Sequence, residues 1–249
     1  MNILILNPNM STDMTEGLVQ AASQVAASET VLIPATASRG FPYISSRAEA
    51  QIAGEIVLEV IAEHIANIDA VVIAAFGDPG LHAARELFDI PVIGMAEAAM
   101  YNACFLGERF AYVTFSRHLA SWYEAGVQQA GLLPRFAGVH TPTENMGAIS
   151  QVQSDLRAPL IALVERAATQ ASADVVILAG APLAGMANTI EDSAAVLLDP
   201  ISTAVCQAES LVRLAPLGAN RGRFRRPPGK PATGLAVPLA QWIARPDEA

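Results

Sequence analysis

Short solid blocks of Val, Ile, Leu and Ala alternate along the chain with longer stretches whose apolar residues recur every three to four positions. The blocks fall at 2–6, 30–33, 70–74, 91–93, 110–113, 135–139, 174–178 and 195–198. A strand with one wet face alternates apolar and polar residues, whereas a strand covered on both faces reads as a continuous apolar run. The blocks therefore predict parallel strands. The stretches 11–27, 46–66, 117–130, 149–171 and 201–214 predict helices, the first opened by the capping chemistry of Ser11-Thr-Asp. Strand and helix in alternation predict an α/β protein.

The pattern also repeats itself. Residues 69–81, a buried block running into Phe76-Gly-Asp-Pro-Gly, resemble residues 174–186, where the block runs into Gly180-Ala-Pro-Leu. Val92 and the eight residues after it align without gaps on Leu197 and its followers, and blocks 2–9 and 109–116 both end in a small polar loop. Three matched features in one order predict two pseudo-symmetric α/β domains, each a parallel sheet flanked by helices, with a cleft between them. The expected division is residues 1–95 plus about 215–249 against residues 96–214.

Composition narrows the function. At 249 residues and 52% hydrophobic, the chain has ample core and is not of the disordered class. No apolar run is long enough to span a membrane, and the opening residues lack a basic signal-peptide start, so a cytoplasmic location is expected. A net charge of −9 argues against a nucleic-acid partner. Two cysteines, Cys104 and Cys206, and four scattered histidines give no metal-ligand spacing. One basic run, residues 221–230 within a Gly/Pro-rich segment at 219–235, reads as a solvated loop or, alternatively, as a lid or subunit contact. As a lid it would be removable without loss of folding.

Ligands of open α/β sheets bind beyond the carboxyl ends of the strands. The loops there are Asn7-Pro-Asn, Phe76-Gly-Asp-Pro-Gly, Thr114-Phe-Ser and Gly180-Ala-Pro-Leu. None carries the glycine spacing of a dinucleotide or nucleotide-phosphate loop. Their amides and small polar groups at helix starts suit a small anion such as a carboxylate. Each taken singly is also ordinary turn chemistry.

At these loops the chain resembles the aspartate/glutamate racemase superfamily, in particular its hydantoin racemase branch. The likeness rests on Ile3-Leu-Ile-Leu-Asn-Pro-Asn, Gly77-Asp-Pro-Gly-Leu, Pro91-Val-Ile-Gly-Met-Ala-Glu-Ala-Ala-Met and Asp199-Pro, spread to roughly residue 215. It implies an isomerase without a cofactor, acting on a small carboxylate or cyclic amide in the cleft between two domains, as a homo-oligomer. Such enzymes deprotonate a carbon next to a carbonyl and reprotonate it on the other face, which needs an acid/base group on each side. The family uses two cysteines, and the matching positions here are Ala75 and Gly180. Cys104 and Cys206 are not pseudo-equivalent and read as structural.

The absent thiols imply altered chemistry, with a decarboxylase, lyase or ring-opening enzyme, or a non-catalytic binder of a small ligand, as alternatives. Candidate acid/base groups are Asp78, Tyr43 and His118, although Asp78 reads first as a turn or cap residue and His118 as an exposed helix-start residue. Arg47 is the candidate partner of a substrate carboxylate, or else an exposed cation. Asn7, Asn9, Phe76, Gly77, Thr114, Ser116, Gly180, Ala181 and Pro182 are expected to line the substrate by loop position, and Glu97 to act as an acceptor behind the site.

Overall fold

The structure is a computed structural model, described for residues 1–143, 147–219 and 221–245. Asn220 and residues 246–249 of the C-terminal segment lie outside the described residues. In chain order the elements are β1 (Asn2–Asn7), α1 (Thr12–Ser23), β2 (Val31–Thr36), α2 (Arg47–His64), β3 (Ala70–Ile73), α3 (Leu81–Leu87) and β4 (Val92–Gly94). There follow α4 (Met95–Leu106), β5 (Phe110–Val113), α5 (Arg117–Gln129), β6 (Phe136–His140), α6 (Val152–Asp155), α7 (Arg157–Gln170), β7 (Val175–Leu178), β8 (Val196–Leu198), α8 (Pro200–Leu214) and α9 (Val237–Ala244).

The strands form two four-stranded parallel sheets, ordered β2-β1-β3-β4 and β6-β5-β7-β8. β3, β5 and β7 are buried at every residue. Burying each Val, Ile or Leu is worth about 1.5–3 kcal/mol, which is why solid apolar blocks take these central places. Pro34 is accommodated because β2 is an edge strand with one neighbour. Helices α4 and α8 pack on each other between the sheets, so one apolar cluster runs from Ile3 and Ile5 of the first half to Val175 and Leu178 of the second.

The two ladders share one register. Leu6 pairs with Ile73 in the first sheet and Val113 with Leu178 in the second, and the next amides, Ala74 and Ala179, donate to Leu6 and Val113 at 2.8 Å. Ala75 and Gly180 thus sit at equivalent strand ends, as do Asn7 and Thr114. The outer pairs Val71–Val92 and Val176–Leu197 put Val92 opposite Leu197, the ungapped alignment read from the sequence.

Two expectations change. The single helix at 149–171 is three pieces, a 3-10 turn, α6 and α7, interrupted at Leu156. Pro159 lies in the first turn of α7, where its missing amide costs nothing but its ring cannot follow a preceding helical turn. The segment 219–235, read as a solvated loop, lid or subunit contact, is packed on the first half in its described residues. Its turn Gly222–Phe224 packs on α3, with Phe224 stacked on His82 (6.0 Å, 12°), and it leads into α9. There Leu239 is buried and Trp242 donates to the Leu87 carbonyl at 2.9 Å. Arg226 faces Asp89 at 3.5 Å.

No helix among the described residues is long and apolar enough to cross a membrane.

Candidate functional site

The strand-end loops of the two halves meet at a cleft lined by Asn9, Tyr43, Ala75 and Phe76 from the first half and Trp122, Tyr123 and Ala181 from the second. Its free volume is about 20 Å³, room for about one water. Aromatic rings fill the rest. Tyr43 lies against Phe115 (6.1 Å between centroids), and Phe76 meets Tyr123 and Tyr112 edge-on at 4.7 and 5.1 Å.

The two thiol positions of the resemblance differ in what surrounds them. Ala75 places a methyl group at the cleft with ordinary backbone geometry. Gly180 has φ +126°, and a Cβ there would lie 2.7 Å from Cε1 of the buried Phe115. The Phe115 ring thus occupies the space a side chain at 180 would need.

Asp78 follows in the tight turn that glycines 77 and 80 allow, itself at φ +49°. Its carboxylate accepts the amides of Ala96 (2.9 Å) and Glu97 (2.8 Å), the first turn of α4. Burial lifts its carboxyl to about 7, against the pull of those two amides. Gly94 is obligatory beside it, because a Cβ would fall 2.3 Å from the Asp78 carboxyl carbon. The second half joins loop to helix the other way round. Asp199, at the place of Gly94, caps α8 through Ser202 (3.0 Å) and reaches the loop amide of Gly185 at 2.5 Å.

Asn7 and Asn9 are buried and bonded within their own loop: Asn7 Nδ2 to Asn9 Oδ1, the Ser11 carbonyl and Thr15 Oγ1, each at 3.0 Å, and Asn9 Oδ1 to the Ser11 amide at 2.9 Å. Thr114 is fully buried, and among the described residues neither its hydroxyl nor the adjacent His140 Nε2 has a partner. Ser116 precedes α5 without capping it. Pro182 faces Gln153, which donates to its carbonyl at 2.9 Å. His118 is exposed on α5 and lines neither the cleft nor the chamber described next. Tyr43 shares a hydrogen bond with Tyr123, and burial pushes both phenols well above their usual range.

Beside the cleft lies a chamber of about 380 Å³. Phe76, Trp122 and Tyr123 line both spaces and form the wall between them. Asp78, Glu97, Arg47 and Gly77 border the chamber, so five sequence candidates (Phe76 included) converge there rather than at the strand ends alone. Arg47 donates to the Ser121 carbonyl at 2.8 Å, and Glu97 is paired with Arg85 through both carboxylate oxygens. Phe115, Trp122, Tyr123 and Tyr112 escaped the sequence reading. With only four tyrosines and two tryptophans in the chain, the Trp122-Tyr pair beside the Thr114-Phe-Ser loop was the available signal.

Among the described residues, no three His, Cys, Asp or Glu side chains converge as a metal site.

Two parallel sheets built on one repeat, with their strand ends facing across a cleft, define a two-domain α/β protein of the racemase type. The Asp/Glu/hydantoin racemase family matches residues 3–208, and the chain belongs to that family. It is 33% identical to a hydantoin racemase of Paenarthrobacter aurescens, over 92% of this chain and 99% of that one. Among solved structures it is similar to the allantoin racemase of Klebsiella pneumoniae (TM-score 0.87, 31% identity, 94% of this chain and 96% of that one). The allantoin racemase of Pseudomonas fluorescens compares at TM-score 0.86 and 28% identity, covering 94% and 100%. The chain is therefore a racemase-like member of a family of isomerases.

Proposed function

We propose that this chain is a cofactor-independent, racemase-like enzyme acting at the carbon next to a carbonyl of a small carboxylate or cyclic amide, with proton traffic confined to one face. The observation that carries this reading is that neither position offers an acid/base group: residue 75 ends in a methyl, and the Phe115 ring occupies the space beside Gly180. Two-face exchange needs a titratable group on each side of the carbon. The titratable groups at the cleft are the phenols of Tyr43 and Tyr123, bonded to each other.

A phenol held neutral by burial is a poor base and a usable acid. When the C–C bond to a substrate carboxylate breaks, carbon dioxide leaves and the electron pair stays as an enolate; the Tyr43 O–H bond then breaks and its proton goes to carbon. The phenolate recovers a proton through Tyr123. Decarboxylation fits this sequence, since it needs stabilised charge and one proton donor. The small cleft favours one alternative, a non-catalytic binder of a small ligand.

The test is incubation in D₂O with hydantoins, amino acids and small dicarboxylates, read by mass spectrometry. A product of new mass carrying one deuterium at the carbon, lost in Tyr43→Phe, is expected. Deuterium exchange with inversion would refute one-face chemistry. Thermal stabilisation by a compound that is never turned over would favour the binder.

The apolar residues that α4 leaves exposed, Phe105 foremost at 86%, support a homo-oligomer, which sedimentation at several concentrations would test.

A further inference from the structure

We propose that the basic run 221–225 is an electrostatic guide that draws a small carboxylate to the chamber mouth and speeds its arrival at the site. This rests on the function proposed above and narrows its substrate class to the anionic one. The chain carries −9 overall, so most of its surface repels an approaching anion. Residues 210–245 are the exception, with six arginines, one lysine and no acidic residue.

The fold puts part of that charge beside the chamber. The turn Gly222–Phe224 packs on α3, where Phe224 stacks on His82. His82, Arg47, Tyr101 and Gln129 all border the chamber and are exposed, so they mark its mouth. Arg223 and Arg225 flank Phe224, and Arg221 lies three residues before it. Their charges therefore stand on the order of 10 Å from the mouth, about one Debye length at physiological salt. All three are exposed, and among the described residues none forms an ion pair. Arg226 differs, because it faces Asp89.

The positive charge continues inward. Arg47 donates to the Ser121 carbonyl, which leaves its charge uncancelled, whereas Glu97 is neutralised by Arg85 and Asp78 is turned onto the α4 amides. An anion moving in thus meets the 221–225 run first and Arg47 next. Exposed arginines at this distance give no desolvated contact, so their effect falls on the rate of association rather than on how long the ligand stays.

The probes are methylmalonate, a dianion at about pH 7.5, and 5-methylhydantoin, which is neutral there. Association is followed by stopped-flow tryptophan fluorescence, since Trp122 lines the chamber. Coulomb's law at about 10 Å in water, screened by salt, makes three such charges worth at least about tenfold in the dianion's rate at about 0.01 M salt and about threefold at about 0.15 M. Arg221→Gln/Arg223→Gln/Arg225→Gln is expected to lose that factor for methylmalonate, with its dissociation rate and both rates of 5-methylhydantoin unchanged. The corresponding triple lysine variant should keep the wild-type rates.

Salt-independent association of methylmalonate, an unaltered rate in the glutamine variant, slowing in the lysine variant, equal slowing of both probes, or no binding of either probe to wild type would overturn the proposal. The two readings fail separately. Guided association of methylmalonate without turnover sinks the enzyme alone, and turnover of either probe with salt-independent association sinks the guide alone.

Discussion

Restoring a thiol should succeed at one half of the site and fail at the other. Gly180→Cys puts a side chain on a backbone at φ +126° and ψ +136°, a region only glycine adopts readily. That strain is worth about 1–3 kcal/mol. The new Cβ also lies 2.7 Å from Phe115 Cε1, inside a ring that is 1% exposed. Overpacking of this kind costs about 1–3 kcal/mol more. The sum, about 2–6 kcal/mol, corresponds to a melting temperature lower by roughly 5–20 °C in a chain of this size. Ala75→Cys meets neither obstacle and should cost about 1 kcal/mol.

Denaturant unfolding of the two single variants, of Phe115→Ala and of Phe115→Ala/Gly180→Cys tests the cause. Phe115→Ala alone removes a buried ring, for about 3–5 kcal/mol. If Phe115 is the obstacle, the double variant loses about 1–3 kcal/mol less than the sum of its singles. Strict additivity, or a Gly180→Cys protein as stable as Ala75→Cys, would refute the reasoning that Phe115 fills the second thiol position.

Other consequences follow from the same contacts. Gly94→Ala should drive the Asp78 carboxylate off the α4 amides and destabilise the fold by about 2–4 kcal/mol, visible as a lower urea midpoint. Because the folded Asp78 carboxyl titrates near 7, above its ordinary 3.8, the folded state holds the proton that the unfolded chain releases. Its contribution is fully present below about pH 4 and is lost as pH rises to 7, up to about 4 kcal/mol. Asp78→Asn should flatten that slope in unfolding measured from pH 4 to 8, and identical slopes would sink the assignment. Trp242→Ala, which loses the Phe88 contact (5.5 Å) and the bond to Leu87, should cost about 3 kcal/mol. A silent variant would mean that α9 contributes nothing to the first half's core.

What the sequence revealed was whatever depends on period and order. Blocks such as 110–113 and 174–178 can satisfy neither an amphipathic helix nor a half-wet strand, so their burial was readable in one dimension. The repeat was equally readable, because the Val92–Leu197 match is a ladder register written twice. The site was legible only as loops. That Phe115 would turn into the space beside Gly180 depends on a positive φ and on a ring rotamer, neither of which spacing encodes. The same holds for Asp78. Gly-Asp-Pro-Gly announced a turn, but only packing against Gly94 shows that its carboxylate belongs to α4. Pro159 could have marked the break at Leu156, since a proline in the first turn of a helix isolates that helix from one before it.

The two halves show why the scaffold can hold its shape without side-chain thiols at positions 75 and 180. In each, one carboxylate ties the loop after the central strand to the first turn of the neighbouring helix: Asp78 from loop to helix in the first half, Asp199 from helix to loop in the second. These ties do not pass through position 75 or 180. The loops are therefore positioned independently of the groups that would do two-base chemistry, and losing those groups need not disorder the loop backbone. Selection acting on such a frame can change what lies between the loops without rebuilding them. Here rings lie between the loops, and the larger space lies next door, behind Trp122.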